Sequence, residues 1–144
     1  MSKSESALKL FKDGFNCAQS VLGAFCEDYG MDLDTALKLS GGLGRGANCG
    51  EICGAVSGAV LVIGLKYGQS AQGDTDAKAE CSVRTAEFLE EFRAENNTVI
   101  CRELLGFDVS NQEEREKHLT IGEFIKKCNS AIDHAATILT DLGY

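Results

Sequence analysis

The residues of this 144-residue chain best suited to chemistry are its seven cysteines, at positions 17, 26, 49, 53, 81, 101 and 128. A thiolate attacks disulfides and binds soft metals, so the question is which thiols the fold can gather and ionise. The N-terminal stretch MSKSESALKL has no apolar core and no small-residue cleavage site, so no secretory signal is expected. The longest nearly apolar run, CGAVSGAVLVIGL, is too short to span a bilayer. The expected compartment is the cytoplasm, without membrane insertion. In a secreted chain this many cysteines would suggest disulfides. In a reducing compartment they point to metal binding or thiol chemistry.

Placement separates the cysteines. Cys17 follows Asn16 at the start of a helix, and Cys53 falls in the first turn of a glycine-rich one. Cys101 opens CRELLG, and Cys128 immediately precedes Asn129 and Ser130, which can cap SAIDHAATIL. Four cysteines are thus expected at or near four helix N-termini, where the dipole and free N–H groups favour thiolate. Cys26 and Cys81 fall in mid-helix and read as packing, the usual fate of a single small apolar thiol.

The stretch GGLGRGANCGEICGAVSGAVLVIGLKYG, residues 41–68, sets Cys49 and Cys53 four positions apart where a glycine loop gives way to an apolar helix. Glycine inside a helix costs roughly 1 kcal/mol against alanine, so something should compensate. The loop lacks the Lys-Ser/Thr ending of a phosphate loop. GLGRGA matches G-x-G-x-x-A by letter, but no strand precedes it and no βαβ pattern surrounds it. The spacing Gly50, Gly54, Gly58 makes a small-residue face that lets another backbone come close. Cys49 and Cys53 do not form C-x-x-C, no C-x-x-C-H is present, and His118 and His134 lack zinc-finger spacing. Ser57 lacks the G-x-S-x-G context of a hydrolase.

The elements that must position these residues are helices. The chain has no proline and is rich in Ala, Leu, Glu and Lys. One helix is expected after Ser4 as N-cap, closing at Gly14, and a second from Asn16 to Gly30. A short third leads into the glycine loop, and a fourth, from about Gly50 to Tyr67, is apolar nearly all round and should be central. A long fifth is expected from near Asp74 to Asn96 or Asn97, and a short sixth ends at Gly106. SNQEEREKHLT reads as a solvated turn or helix face with His118 at the surface. The last helix is expected to break near Asn129 and Ser130. The reading is a compact all-α bundle, one domain over residues 1–144, with a central glycine-rich apolar helix. A net charge of −8 argues against nucleic acid or acidic lipid as partner.

Four segments, FKDGFNCAQSVLGAF, CGAVSGAVLVIGLKYG, CRELLG and the late cysteine before AIDHAATIL, together resemble the C-GCAxxG-C-C family of redox-active proteins, over about residues 5–140. The resemblance implies that its four hallmark cysteines are Cys17, Cys53, Cys101 and Cys128, the four that helix placement selects. It also implies that its C-G-A-x-x-G signature is Cys53, Gly54, Ala55 and Gly58. A similar cysteine-bearing domain accompanies haem in split-Soret cytochromes, where it looks like an iron–sulfur site. Two departures stand out. Cys49 is added just before the signature, where it can share or replace the role of Cys53, and Asn129 follows Cys128 where proline is expected.

The function expected is that of a small redox protein whose four cysteines converge on one site. They would hold a [2Fe–2S] cluster, or zinc in its absence, or work as dithiol pairs exchanging with a partner's disulfide. Its partner would be a redox protein or a small electron or thiol carrier. The rival reading is a non-catalytic interaction module, a homodimer through the glycine helix, in which the cysteines only pack.

Overall fold

The structure, a computed structural model, describes residues 1–119 and 122–144. The fold is all-α, as expected. Its helices are α1 (Lys3–Lys12), α2 (Cys17–Phe25), α3 (Leu33–Leu39), α4 (Gly54–Tyr67), α5 (Thr75–Asn96), α6 (Cys101–Leu105), α7 (Gln112–Leu119) and α8 (Glu123–Asp141). Among the described residues β pairing is limited to one isolated antiparallel bridge, Ile52 to Ile100.

Capping sets the first two helices. Ser2, rather than Ser4, caps α1 in a reciprocal arrangement with Glu5. Asn16 caps α2 as expected, its side chain accepting from the Gln19 N–H while the Gln19 side chain accepts from the Asn16 N–H. The second helix ends earlier than expected: α2 tightens into a 3-10 turn over Cys26–Tyr29, and Gly30 closes it in the left-handed conformation. Asp74 and Asn97 bound α5 as its sequence suggests. The charged stretch before Thr120 forms α7, and α8 runs unbroken through Asn129 and Ser130. Thr120 and Ile121 lie outside the described residues.

The central helix is α4, buried along Gly54, Ala55, Val56, Gly58, Ala59, Val62 and Ile63. It begins at Gly54 and not near Gly50, which stands in the preceding turn at φ +71°. The compensation for glycine in α4 is close packing by α2. A Cβ on Gly58 would lie 2.6 Å from the Ala18 carbonyl oxygen, and one on Gly54 would collide with the Cys17 Sγ. The face proposed for a homodimer is therefore already covered within the chain.

The apolar interior falls into two parts. The larger core includes Val21, Leu22, Phe25, Cys53, Val56, Ile63, Phe88, Phe92, Ile132 and Leu139, drawn from α2, α4, α5 and α8. The smaller comprises Cys101, Leu105, Val109 and Phe124, with Phe107 and Cys128 against it. Here His118 is not a plain surface residue, because its ring stacks on Phe107 at 3.9 Å between centroids.

Candidate functional site

Cys17 is the first residue of α2, Cys53 the N-cap of α4 and Cys101 the first residue of α6. The expectation of a helix start fails for Cys128, which is the sixth residue of the continuous helix α8. Without a break at Asn129, that thiol sits along the helix wall instead of over free N–H groups.

The bridge between Ile52 and Ile100 aligns two of these elements. Cys53 N donates to Val99 O at 2.8 Å, and Cys101 N donates to Glu51 O at 2.6 Å. The two cysteines thus leave the bridge side by side, each starting its own helix. Arg102 fastens the outer edge, its guanidinium donating to Gly50 O at 3.1 Å and to the Glu51 carboxylate at 2.6 Å.

The glycine loop completes the wall by an unusual route. Arg45, Gly46, Ala47 and Asn48 all have positive φ, between +56° and +62°, forming a turn of left-handed helix. Each non-glycine residue held there costs roughly 1–2 kcal/mol. Local bonds offset part of this: Ala47 N donates to Leu43 O, Glu51 N to Gly46 O, and the Asn48 side chain to Gly42 O. The turn lets Gly46 lie against Cys101, where a Cβ would come within 2.9 Å of the Cys101 Cβ.

Cys17, Cys53, Cys101 and Cys128 line one cavity of about 330 Å³. It lies along the seam between the two apolar clusters, with Cys17 and Cys53 packed on the larger and Cys101 and Cys128 on the smaller. Leu104, Leu105, Val109 and Phe124 form much of the remaining wall. Cys49 does not line the cavity. It is exposed, and its Sγ–H donates back to Gly46 O at 3.2 Å. Cys26 is buried in the main core and Cys81 half-buried on α5, both away from the cavity lining. All seven cysteines are free thiols.

Helix placement suggests lowered thiol pKa values, and the structure gives the opposite direction. Burial pushes Cys53 well above the usual thiol range, and the neighbouring Cys17 and Cys101 add to this against the Ala55 and Val56 N–H groups. Cys101 is pushed up to about 12 by burial, then by Cys17 and Asp108. Cys128 is pushed up to about 12 by burial, then by Cys17 and Cys101. Cys17 is also raised by burial, while the backbone N–H groups of Arg45, Ala18 and Gly54 pull it down. Desolvation in an apolar cavity outweighs a helix terminus. Cys17 and Cys101 each have the other three as electrostatic neighbours.

Three charged residues of the lining escape sequence reasoning: Arg45, Arg115 and Lys127. Arg45 sits inside the glycine loop, whose letters suggest phosphate or packing, and Arg115 belongs to the charged run read as solvent-facing. Among the described residues, no three His, Cys, Asp or Glu side chains stand close enough to share one metal ion.

Comparison with curated proteins and with solved structures finds no match. A family model described as "Putative redox-active protein (C_GCAxxG_C_C)" matches residues 15–142, a span containing all four cavity cysteines and the glycine helix. The chain belongs to the C_GCAxxG_C_C family.

Proposed function

We propose that the chain is a redox protein whose cavity holds an iron–sulfur cluster on Cys17, Cys53, Cys101 and Cys128. The observation that carries this reading is four thiols from four elements lining one apolar cavity, each with its pKa raised by burial. A neutral buried thiol is a poor nucleophile, since thiolate is the attacking species. A bound cationic centre inverts that balance, because it neutralises the thiolates where solvent cannot.

The donor set fits such a group. A single zinc draws four sulfurs to about 2.3 Å from one point. Here the four thiols line, with largely apolar residues, a cavity of about 330 Å³. Among the described residues no three of them stand close enough to share one ion, which favours a group of several atoms over zinc. When bound, a cluster of this kind takes up and releases single electrons. The chain's own residues would supply the thiolates, and Leu105, Val109 and Phe124 would limit water around them. Thiol–disulfide exchange is the second reading, favoured by Cys17 and Cys101 each standing beside the other three thiols.

Metal and sulfide analysis with a visible spectrum of protein purified without oxygen tests the proposal. Iron and acid-labile sulfide in equal amounts are expected, with visible absorption lost in Cys53→Ser and kept in Cys26→Ser and Cys81→Ser. Zinc without sulfide would overturn the cluster. Metal-free protein whose cavity thiols pair reversibly on oxidation would move the reading to exchange.

A further inference from the structure

The cavity that holds the four cysteines has a charge character opposite to that of the chain. Acidic residues outnumber basic ones, 22 against 14, yet among the described residues Arg45, Arg115 and Lys127 line the cavity and no Asp or Glu does. Arg45 and Lys127 are exposed and so mark its mouth, whereas Cys53 and Cys101 are each only 6% exposed and mark its floor. Arg115 is half-buried, one guanidinium N–H anchored on Val109 O at 2.9 Å, and the exposed Lys127 Nζ donates to Leu105 O at 3.4 Å. Asp108, whose charge reaches Cys101, is held within its own turn, where Ser110 N donates to it at 3.0 Å. Leu104, Leu105, Val109 and Phe124 supply apolar wall to the same cavity.

We propose that this cavity binds a small organic anion with an apolar body, of the class of a medium-chain monocarboxylate. The carboxylate would sit among Arg45, Arg115 and Lys127, and the apolar part would lie along Leu104, Leu105 and Phe124 toward the thiols. The inference rests on reading this cavity as the working site, and not on which group the cysteines hold. A volume of about 330 Å³ stands at the lower end of the range of ligand pockets, roughly 300–1,000 Å³. Apolar walls with a few convergent polar groups are the usual composition of such sites. Arginine supplies the forked donors that carboxylates match.

Isothermal titration calorimetry of the full chain, purified without oxygen and with iron measured on the same sample, tests this with octanoate, octan-1-ol and octylammonium. Octanoate is expected to bind about tenfold or more tightly than octan-1-ol, with octylammonium weakest and octanoate binding weakened by salt. Arg45→Gln and Lys127→Gln, both at the surface, should each weaken octanoate about three- to tenfold and leave octan-1-ol unchanged. Arg115→Lys should retain more octanoate affinity than Arg115→Gln. No octanoate binding, equal binding of octanoate and octan-1-ol, or octanoate affinity untouched in Arg45→Gln and Lys127→Gln would overturn the proposal. Charge-dependent octanoate binding in an iron-free sample would keep it while removing the cluster, so the two readings fail separately.

Discussion

The Sγ of Cys17 occupies the place where a side chain on Gly54 would begin. The central helix thus gives up a side chain at its first residue so that a thiol from α2 can stand beside Cys53. The same helix gives up a second side chain at Gly58, where the Ala18 backbone crosses.

Enlarging either glycine should therefore act on stability and on sulfur together. Gly54→Leu and Gly58→Leu overpack the α2–α4 contact, with an expected loss of about 1–3 kcal/mol or more each. Gly54→Ala is the finer probe, since its methyl meets Cys17 before anything else. Thermal melts with thiol titration should show a lowered melting temperature and altered Cys17 reactivity in Gly54→Ala. In Gly58→Ala the loss of stability should come with a smaller change in thiol reactivity. Unchanged melting in both Leu variants would contradict the packing described.

The metal-free protein should lose stability in alkali. Burial pushes Cys101 and Cys128 up to about 12 in the folded chain, against an ordinary thiol value of 9.0. Above pH about 9 the unfolded chain releases protons that the native one keeps, so the unfolded state binds fewer and stability falls as pH rises. The contribution is complete below about pH 9 and is lost progressively toward pH 12. Urea melts across this range should show the decline, and Cys128→Ala should make it shallower. Metal-loaded protein should respond in the other direction, weakening as acid protonates its thiolates.

Alkylation at neutral pH should rank the thiols by exposure and ionisation. Cys49, exposed in the loop, is expected to react first with iodoacetamide, and buried Cys26 only on unfolding. Cys53, Cys101 and Cys128 should lag far behind Cys49 because burial holds them protonated. Mass spectrometry of peptides from a time course reads the order. Labelling of Cys53 as fast as Cys49 would show that the cavity is open to solvent in a way its lining does not suggest.

The left-handed turn carries its own test. Ala47 has φ +57°, so Ala47→Gly should relieve strain and stabilise the chain by about 1 kcal/mol. Gly46→Ala should do the reverse, since a Cβ there would also press on Glu51 N and the Cys101 Cβ. Chemical denaturation of both variants checks the sign.

Much of this architecture could be read from local chemistry. Asn16, Asp74, Gly30, Asn97 and Gly106 mark helix ends because caps and left-handed closures depend on a few residues in contact along the chain. The glycine spacing at 54 and 58 announced a close neighbour, and α2 is that neighbour. The N-cap reading of Asn129 and Ser130 failed because residues with capping side chains are tolerated within a helix when packing carries it through. The thiol pKa direction was out of reach for a different reason. A helix start is visible in sequence, but desolvation depends on residues as far apart as Cys17 and Cys128 closing over one space. Arg115 was hidden in the same way, a charge in a polar run whose destination is set by tertiary packing.

Helices α1 and α8 lie against each other, with the Ser4 hydroxyl donating to the Asp133 carboxylate. Among the helices described here, a ribosome makes one of these first and the other last. Cys17, Cys53 and Cys101 therefore emerge before the element carrying Cys128 exists, and for that interval they are three thiols without the fourth side of their enclosure. Any loading or pairing that needs all four sulfurs must wait for synthesis to reach α8. The enclosure is therefore a late product of synthesis, closed only once α8 has met α1.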